Sequence, residues 1–252
     1  MKKIVTALCL GAMLFGIGTA AQAQLRQSVY INGNIPTGDF ASSASDGPVL
    51  IAAYNTGVPL TYEQIGKDAT LGFGFGYRAS YRFDVGVGLV APYANVDFLW
   101  NTISSKWSEK YSDAYMSSPT YFNIPLMVGV TYIYDEMPWN DISLFGEFGI
   151  GTDLLWITSE GSSDMPGGVY YKFSYKSTFA FAWQLGVGAF FGEHVSAGLH
   201  YYGLGTHNID YTSGCREDNA FADAQVIANN AAGMGRQRRS VGSLMLRIGF
   251  HF

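Results

Sequence analysis

Cysteine is nearly absent from the chain. Two occur in 252 residues, and Cys9 lies in the N-terminal apolar stretch, leaving Cys215 alone in the remainder. A single thiol builds no internal disulfide framework and gives no metal site by itself. Charge is also scarce, with 15 Lys and Arg against 20 Asp and Glu and a formal net charge of -5, so nothing favours nucleic acid as a partner. Beyond the N-terminus no apolar run approaches the roughly 18 to 20 residues of a spanning helix, which argues against a helical membrane protein. Neither a repeat of roughly 20 to 50 residues nor a linker is visible, so a single domain is expected.

Aromatics and glycine are abundant instead: 17 Tyr, 17 Phe, 5 Trp and 31 Gly. The first residues stand apart from this pattern. Lys2 and Lys3, an apolar run from Ile4 to Ile17, and Ala21-Gln22-Ala23 form a secretory signal with an A-x-A cleavage site. Residues 1–23 are therefore expected to be a signal peptide, and residues 24–252 the mature domain. Loss of Lys2 and Lys3 takes the formal charge from -5 to -7.

The rest of the chain alternates with a period of two. In the last twelve residues, Leu244, Leu246, Ile248, Phe250 and Phe252 fall on one face and Ser243, Met245, Arg247, Gly249 and His251 on the other. Ala69 to Arg82 sets Leu71, Phe73, Phe75, Tyr77 and Tyr81 against Gly72, Gly74, Gly76, Arg78 and Arg82. Similar strands are expected over 25–35, 85–100, 120–134, from Ile142 onward, 169–191 and 194–205. The third changes phase after Tyr93, which predicts a bulge between Pro92 and Asn95. Pro125 inside the fourth predicts another bulge. The gaps between strands run long, short, long, medium-short, medium, short, long, with the last from Thr206 to Arg238 and a short helix expected over Ala222 to Ala232. Alternating long and short connections mark the outer loops and periplasmic turns of membrane barrels. The expected fold is all-β, an eight-stranded antiparallel up-and-down transmembrane β-barrel with long outer loops, located in the cell outer membrane.

Eight alternating segments, a signal peptide and a terminal aromatic residue together resemble the small outer-membrane β-barrel proteins of gram-negative bacteria, the OmpX, OmpW and OmpA-barrel type. Ile35-Pro36-Thr37-Gly38-Asp39 and Asn123-Ile124-Pro125-Leu126 are similar to turns of phrase common in that group. The resemblance implies that Phe252 is the C-terminal signal read by the barrel-insertion machinery. It also implies outer-membrane lipids and lipopolysaccharide as surroundings, and it carries no chemistry.

Chemistry-bearing residues are few. His194 and His251 belong near the short-turn end, His200 faces inward above Ser196, and His207 opens an outer loop where a solvated ring is the default. None of these gives three ligands at metal spacing or a supported catalytic group, so no enzyme, metal or cofactor is expected. Arg78, Glu147, Gln184, His200 and Arg247 all fall on the inward phase, at similar heights. They are expected to form one polar layer in which Arg78 and Arg247 share Glu147, because a buried charge needs a partner. Arg236, Arg238 and Arg239 enter the last strand at the height of lipopolysaccharide phosphates, which suit guanidinium forks. Strands five and six are too long for the bilayer, so their hairpin is expected to project as a docking flap carrying Tyr170, Tyr171, Phe173 and Tyr175 for an unknown surface partner. Two functional classes follow: a structural or surface-interaction barrel with a side-chain-filled lumen, and a porin-like channel for a small solute. Filling by side chains favours the first.

Overall fold

The structure, a computed structural model, describes residues 24–42, 66–104, 118–135, 141–161, 170–216 and 236–252. The expected signal peptide and the expected helix over Ala222 to Ala232 lie outside the described residues. Eight strands make the wall: β1 (Gln24–Thr37), β2 (Ala69–Asp84), β3 (Leu89–Ile103), β4 (Thr120–Tyr134), β5 (Ile142–Ile157), β8 (Thr178–Phe191), β9 (Val195–Arg216) and β10 (Arg236–His251). Each pairs antiparallel with the next in this order, and β10 pairs back onto β1, so the sheet closes into a barrel. Closure removes the sheet edges, as a strand-built membrane span requires. Two short strands, β6 (Glu160–Gly161) and β7 (Tyr170–Tyr175), stand outside this ring.

The wall is inside out relative to a water-soluble barrel. Leu71 is 71% exposed and Phe179 69%, and Phe73, Phe75, Leu246 and Ile248 lie on the same outer surface. Arg247, Arg78, Asp97 and Glu147 are buried within. Lipid outside and a filled interior account for that polarity. Rings on neighbouring strands touch along the outer surface, from Phe73 to Trp100 at 4.9 Å and from Phe122 to Trp156 at 5.0 Å.

Four local expectations are corrected. β3 keeps one phase throughout, without a register shift against β4: Ala91, Tyr93, Asn95, Asp97, Leu99 and Asn101 all face inward. The apparent change of phase arises because Val85 to Gly88 is a turn, closed by Val85 N donating to Gly88 O, and because Ala91 and Tyr93 are apolar residues of the lumen. Pro125 makes no bulge either. The ladder to β3 runs in one register on both sides of it but skips Asp97 and Phe98, so the missing donor costs local pairing rather than alignment.

The third correction concerns β9, which runs 22 residues rather than stopping at Gly205. Gly205 has φ +87° and marks a bulge, with the register shifting between Val241↔Gly205 and Gly242↔Gly203. Past it the inward phase switches from His200 and Tyr202 to His207 and Ile209, which disguises the continuation as a loop. Cys215 therefore lies in a strand, opposite Tyr171. Finally, the expected sixth strand is two, divided at Lys176 and Ser177. The projecting flap is β9–β7–β6, with β7 paired to the far end of β9 rather than to β5.

Candidate functional site: the charged plug of the lumen

Alternation aims one side chain in two at the barrel axis, and at mid-barrel the described inward positions include Arg78, Arg247, Asp97 and Glu147. Arg78 of β2 donates to both oxygens of Glu147 on β5, Nη1 to Oε2 at 2.6 Å and Nη2 to Oε1 at 2.8 Å. Glu147 also accepts from Gln184 Nε2 at 3.1 Å and Thr131 Oγ1 at 3.3 Å, and His200 Nδ1 lies 3.0 Å from it. Two-pronged pairing of a planar guanidinium with a carboxylate is the strong form of this contact. Tyr93 adds an aromatic face 3.9 Å from the Arg78 guanidinium carbon, and its hydroxyl accepts from Gln184 Nε2.

The second pair is Arg247 with Asp97. Arg247 Nη2 lies 3.0 Å from each Asp97 oxygen, donates to Tyr202 Oη at 2.8 Å, and Nε donates to Asn32 Oδ1 at 2.9 Å. Asp97 further accepts from Asn95 Nδ2 at 2.6 Å, Tyr202 Oη at 2.8 Å and Asn32 Nδ2 at 3.3 Å. Arg247 Nη1 comes within only 4.0 Å of Glu147. Glu147 is thus reached by both arginines, while Arg247 has Asp97 as its nearer carboxylate, and the two pairs abut. Asp97 is the member that sequence reasoning missed, although Val96, Phe98 and Trp100 mark the outward phase and so place it inward.

Small residues make room for this plug. A Cβ on Gly186 would press on His200 Nδ1 and lie 2.8 Å from Glu147 Cγ, and one on Gly76 would collide with Asp97 Oδ1. These inward glycines of β2 and β8 are therefore spaces filled by neighbouring side chains. Beside the Arg78–Glu147 pair the void is about 10 Å³, on the scale of a single water.

Two further layers flank the plug. Toward the long-loop end, Phe40, Leu99, Tyr121, Leu155, Leu204 and Ile209 are buried, and the Phe40 ring lies 4.8 Å from that of Tyr121. Phe40 sits in a 3-10 turn, η1 (Gly38–Ala41), clasped to β10: Asp39 accepts from Ser240 N at 3.0 Å and from its Oγ at 2.9 Å. These hydrogen bonds hold the Asp39 carboxyl below the usual carboxylate range. At the short-turn end Ile133, Phe145 and Phe190 cluster, and His251 links Ser28 Oγ at 2.7 Å to Ser196 Oγ at 2.8 Å.

His207 corrects another expectation, since it is a buried wall residue and no solvated loop ring. Its Nδ1 lies 2.8 Å from Thr178 Oγ1 and its Nε2 3.1 Å from Asp153 Oδ2, tying β9 to β8 and β5. Ser196 pairs with His251 and not with His200. Among the described residues no group of three His, Cys, Asp or Glu could hold a metal ion.

The remaining candidates are spread around the outer rim. Arg238 is exposed, whereas Arg239 turns to the opposite face, where Nη2 donates to Gln237 Oε1 at 3.0 Å. Strand alternation thus turns Arg238 and Arg239 to opposite faces of the last strand. Tyr170, Tyr171, Phe173 and Tyr175 all belong to β7, opposite Arg216, Cys215, Ser213 and Tyr211 of β9. Phe252 ends the chain on the outward, lipid-facing phase, and its backbone N and O pair with Gln27.

A closed antiparallel barrel, apolar outside and polar within, with short connections at one end and long ones at the other, defines a strand-built outer-membrane protein. Residues 7–230 match the family model of the outer membrane protein beta-barrel domain, and the chain belongs to that family. No curated protein matches the sequence. Among solved structures the chain is similar to a major outer membrane protein from Thermus thermophilus, at 14% identity and TM-score 0.46, covering 91% of this chain and 100% of that one. It is similar to the attachment invasion locus protein Ail of Yersinia pestis at 12% identity and TM-score 0.36, covering 90% and 97%. OprG of Pseudomonas aeruginosa is similar at 10% identity and TM-score 0.39, covering 93% and 98%.

Proposed function

We propose that the protein is a surface-interaction barrel, a rigid lumen-filled stake that holds its outer loops and flap at the cell surface for adhesion or for binding a partner. The observation that carries this reading is the plug: two buried ion pairs, their hydrogen-bonded neighbours and an aromatic cap occupy the axis, leaving about 10 Å³ beside the Arg78–Glu147 pair. A conduit for solute needs a continuous wet path, so the porin-like alternative has less support. Lipopolysaccharide is the proposed lipid contact, through Arg236, Arg238 and Arg239 at the start of β10. Barrel-insertion machinery reading Phe252 is the proposed partner in assembly.

The flap is the proposed docking surface, because β9 carries β7 beyond the closed ring and an extended strand offers main-chain groups to another chain. Cells displaying the chain and cells displaying a variant without residues 159–171 give the test, with heat-modifiable migration as the control for folding. Loss of surface binding in the variant is the expected result. Unchanged binding by a folded variant refutes the docking role.

A further inference from the structure

The short-turn mouth holds a feature that the surface role leaves unused. A vestibule of about 450 Å³ opens there, lined by Arg26, Arg82, Leu89, Ile133, Phe190 and four carboxylates. Cavities of roughly 300 to 1,000 Å³ are the size that binds small ligands. Its chemistry is arranged in zones. The floor is apolar, with Phe190 and Ile133 buried in one cluster and Leu89 packed against it. Over the floor lies Arg82, whose guanidinium carbon is 4.9 Å from the Phe190 ring centroid. Among the described residues Arg82 has no ion-pair partner. Arg26 stands diagonally across the ladder on the same inward face, since Arg26 pairs with Ser80 and Arg82 with Gln24, a separation of about 7 to 8 Å. Glu193 reaches Arg26 at 3.6 Å and serves that arginine. Asp84, Asp135, Asp141 and Glu193 line the remainder.

Each zone narrows the ligand. Two like charges beside the floor leave positive charge over an apolar surface, which favours a carboxylate attached to an apolar group. Simple anions such as phosphate would leave the apolar floor unused and would meet four carboxylates on entry. A bare metal cation would face two guanidiniums. The carboxylates instead favour positive charge farther out. We infer that this vestibule binds the free C-terminal end of a peptide chain, with the terminal carboxylate on Arg82, an apolar last side chain on Phe190, Leu89 and Ile133, and a basic residue against Asp84, Asp135 and Asp141. The inference is independent of the docking flap, which lies at the other end of the barrel.

The test is a calorimetric titration of the chain refolded in detergent micelles with three probes: acetyl-Lys-Ala-Leu with a free carboxylate, its C-terminal amide, and acetyl-Glu-Ala-Leu. Saturable binding of the first is expected, with the amide and the Glu peptide each weaker by about tenfold, the loss that follows removal of one charge-assisted contact. In Arg82→Gln the free acid and the amide should bind alike. Asp141→Asn should narrow the preference for Lys over Glu while keeping the preference for the free acid, and it decides the matter if Arg82→Gln does not refold. Equal binding of acid and amide to the unmodified chain, or no saturable binding, overturns the inference.

Discussion

Glu147→Gln is the most informative perturbation of the plug because it keeps the shape and removes one charge. Arg78 and Arg247 face Glu147 and Asp97, two cations against two anions. The substitution leaves Arg78, a buried side chain, without its two-pronged acceptor, and it withdraws the carboxylate that lies 4.0 Å from Arg247. Breaking a buried pair from one side costs about 3 to 5 kcal/mol, since the surviving charge stays desolvated. Tyr93, 3.9 Å from the guanidinium carbon, offsets part of this, by about 2 kcal/mol at most. A net loss of about 1 to 5 kcal/mol is expected. Arg78→Met should cost less, because Glu147 keeps Gln184, Thr131 and the nearby Arg247. The double variant should cost less than the sum of the singles, with a coupling of about 1 to 3 kcal/mol. Urea titrations in lipid vesicles, followed by tryptophan fluorescence, measure all three. Near-zero and additive losses would refute the reasoning, for they would mean that these groups are hydrated in an open channel.

Other outcomes follow from the same geometry. Leu246→Arg, on the lipid-facing side of β10, should cost about 2 to 4 kcal/mol in vesicle unfolding, and no loss would mean that lipid does not cover that face. Gly186→Ala should destabilise by about 1 to 3 kcal/mol by overpacking His200 and Glu147, while Gly146→Ala, with nothing within 4 Å of its Cβ, should leave the same unfolding midpoint unchanged. The Asp39 clasp on Ser240 is tied to a folded-state pKa below the ordinary value of 3.8. Its stabilisation is therefore fully present above pH 3.8 and lost as pH falls through the lower folded value. Limited acid proteolysis at η1 should rise over that range, and in Asp39→Asn it should be pH-independent and already high.

Strand alternation made most of the wall legible, because a residue in a membrane strand faces either lipid or lumen, and Leu71 to Arg82 or Leu244 to Phe252 sort cleanly by chemistry. The same rule placed Arg78, Glu147, Gln184, His200 and Arg247 on the inner phase. It failed where the lumen is itself apolar, since Ala91 and Tyr93 read as lipid-facing although they pack inside. It failed again at Gly205, where one bulge residue exchanges the faces and concealed Thr206 to Arg216 as strand. Pairing was less legible than facing. Asp97 and Glu147 are both inward, and which arginine each holds depends on the height set by register across β1, β2, β3, β5 and β10, which no single-strand pattern carries. His207 likewise reads as solvated until the bulge turns it toward Asp153 and Thr178.

Single-channel recording of the refolded chain in planar lipid bilayers tests the central claim, a barrel sealed by its own side chains, most directly. The account predicts a silent bilayer at all applied voltages for the unmodified chain, with insertion verified by heat-modifiable migration of the recovered protein. Steady, reproducible conductance steps from verified single insertions would contradict it.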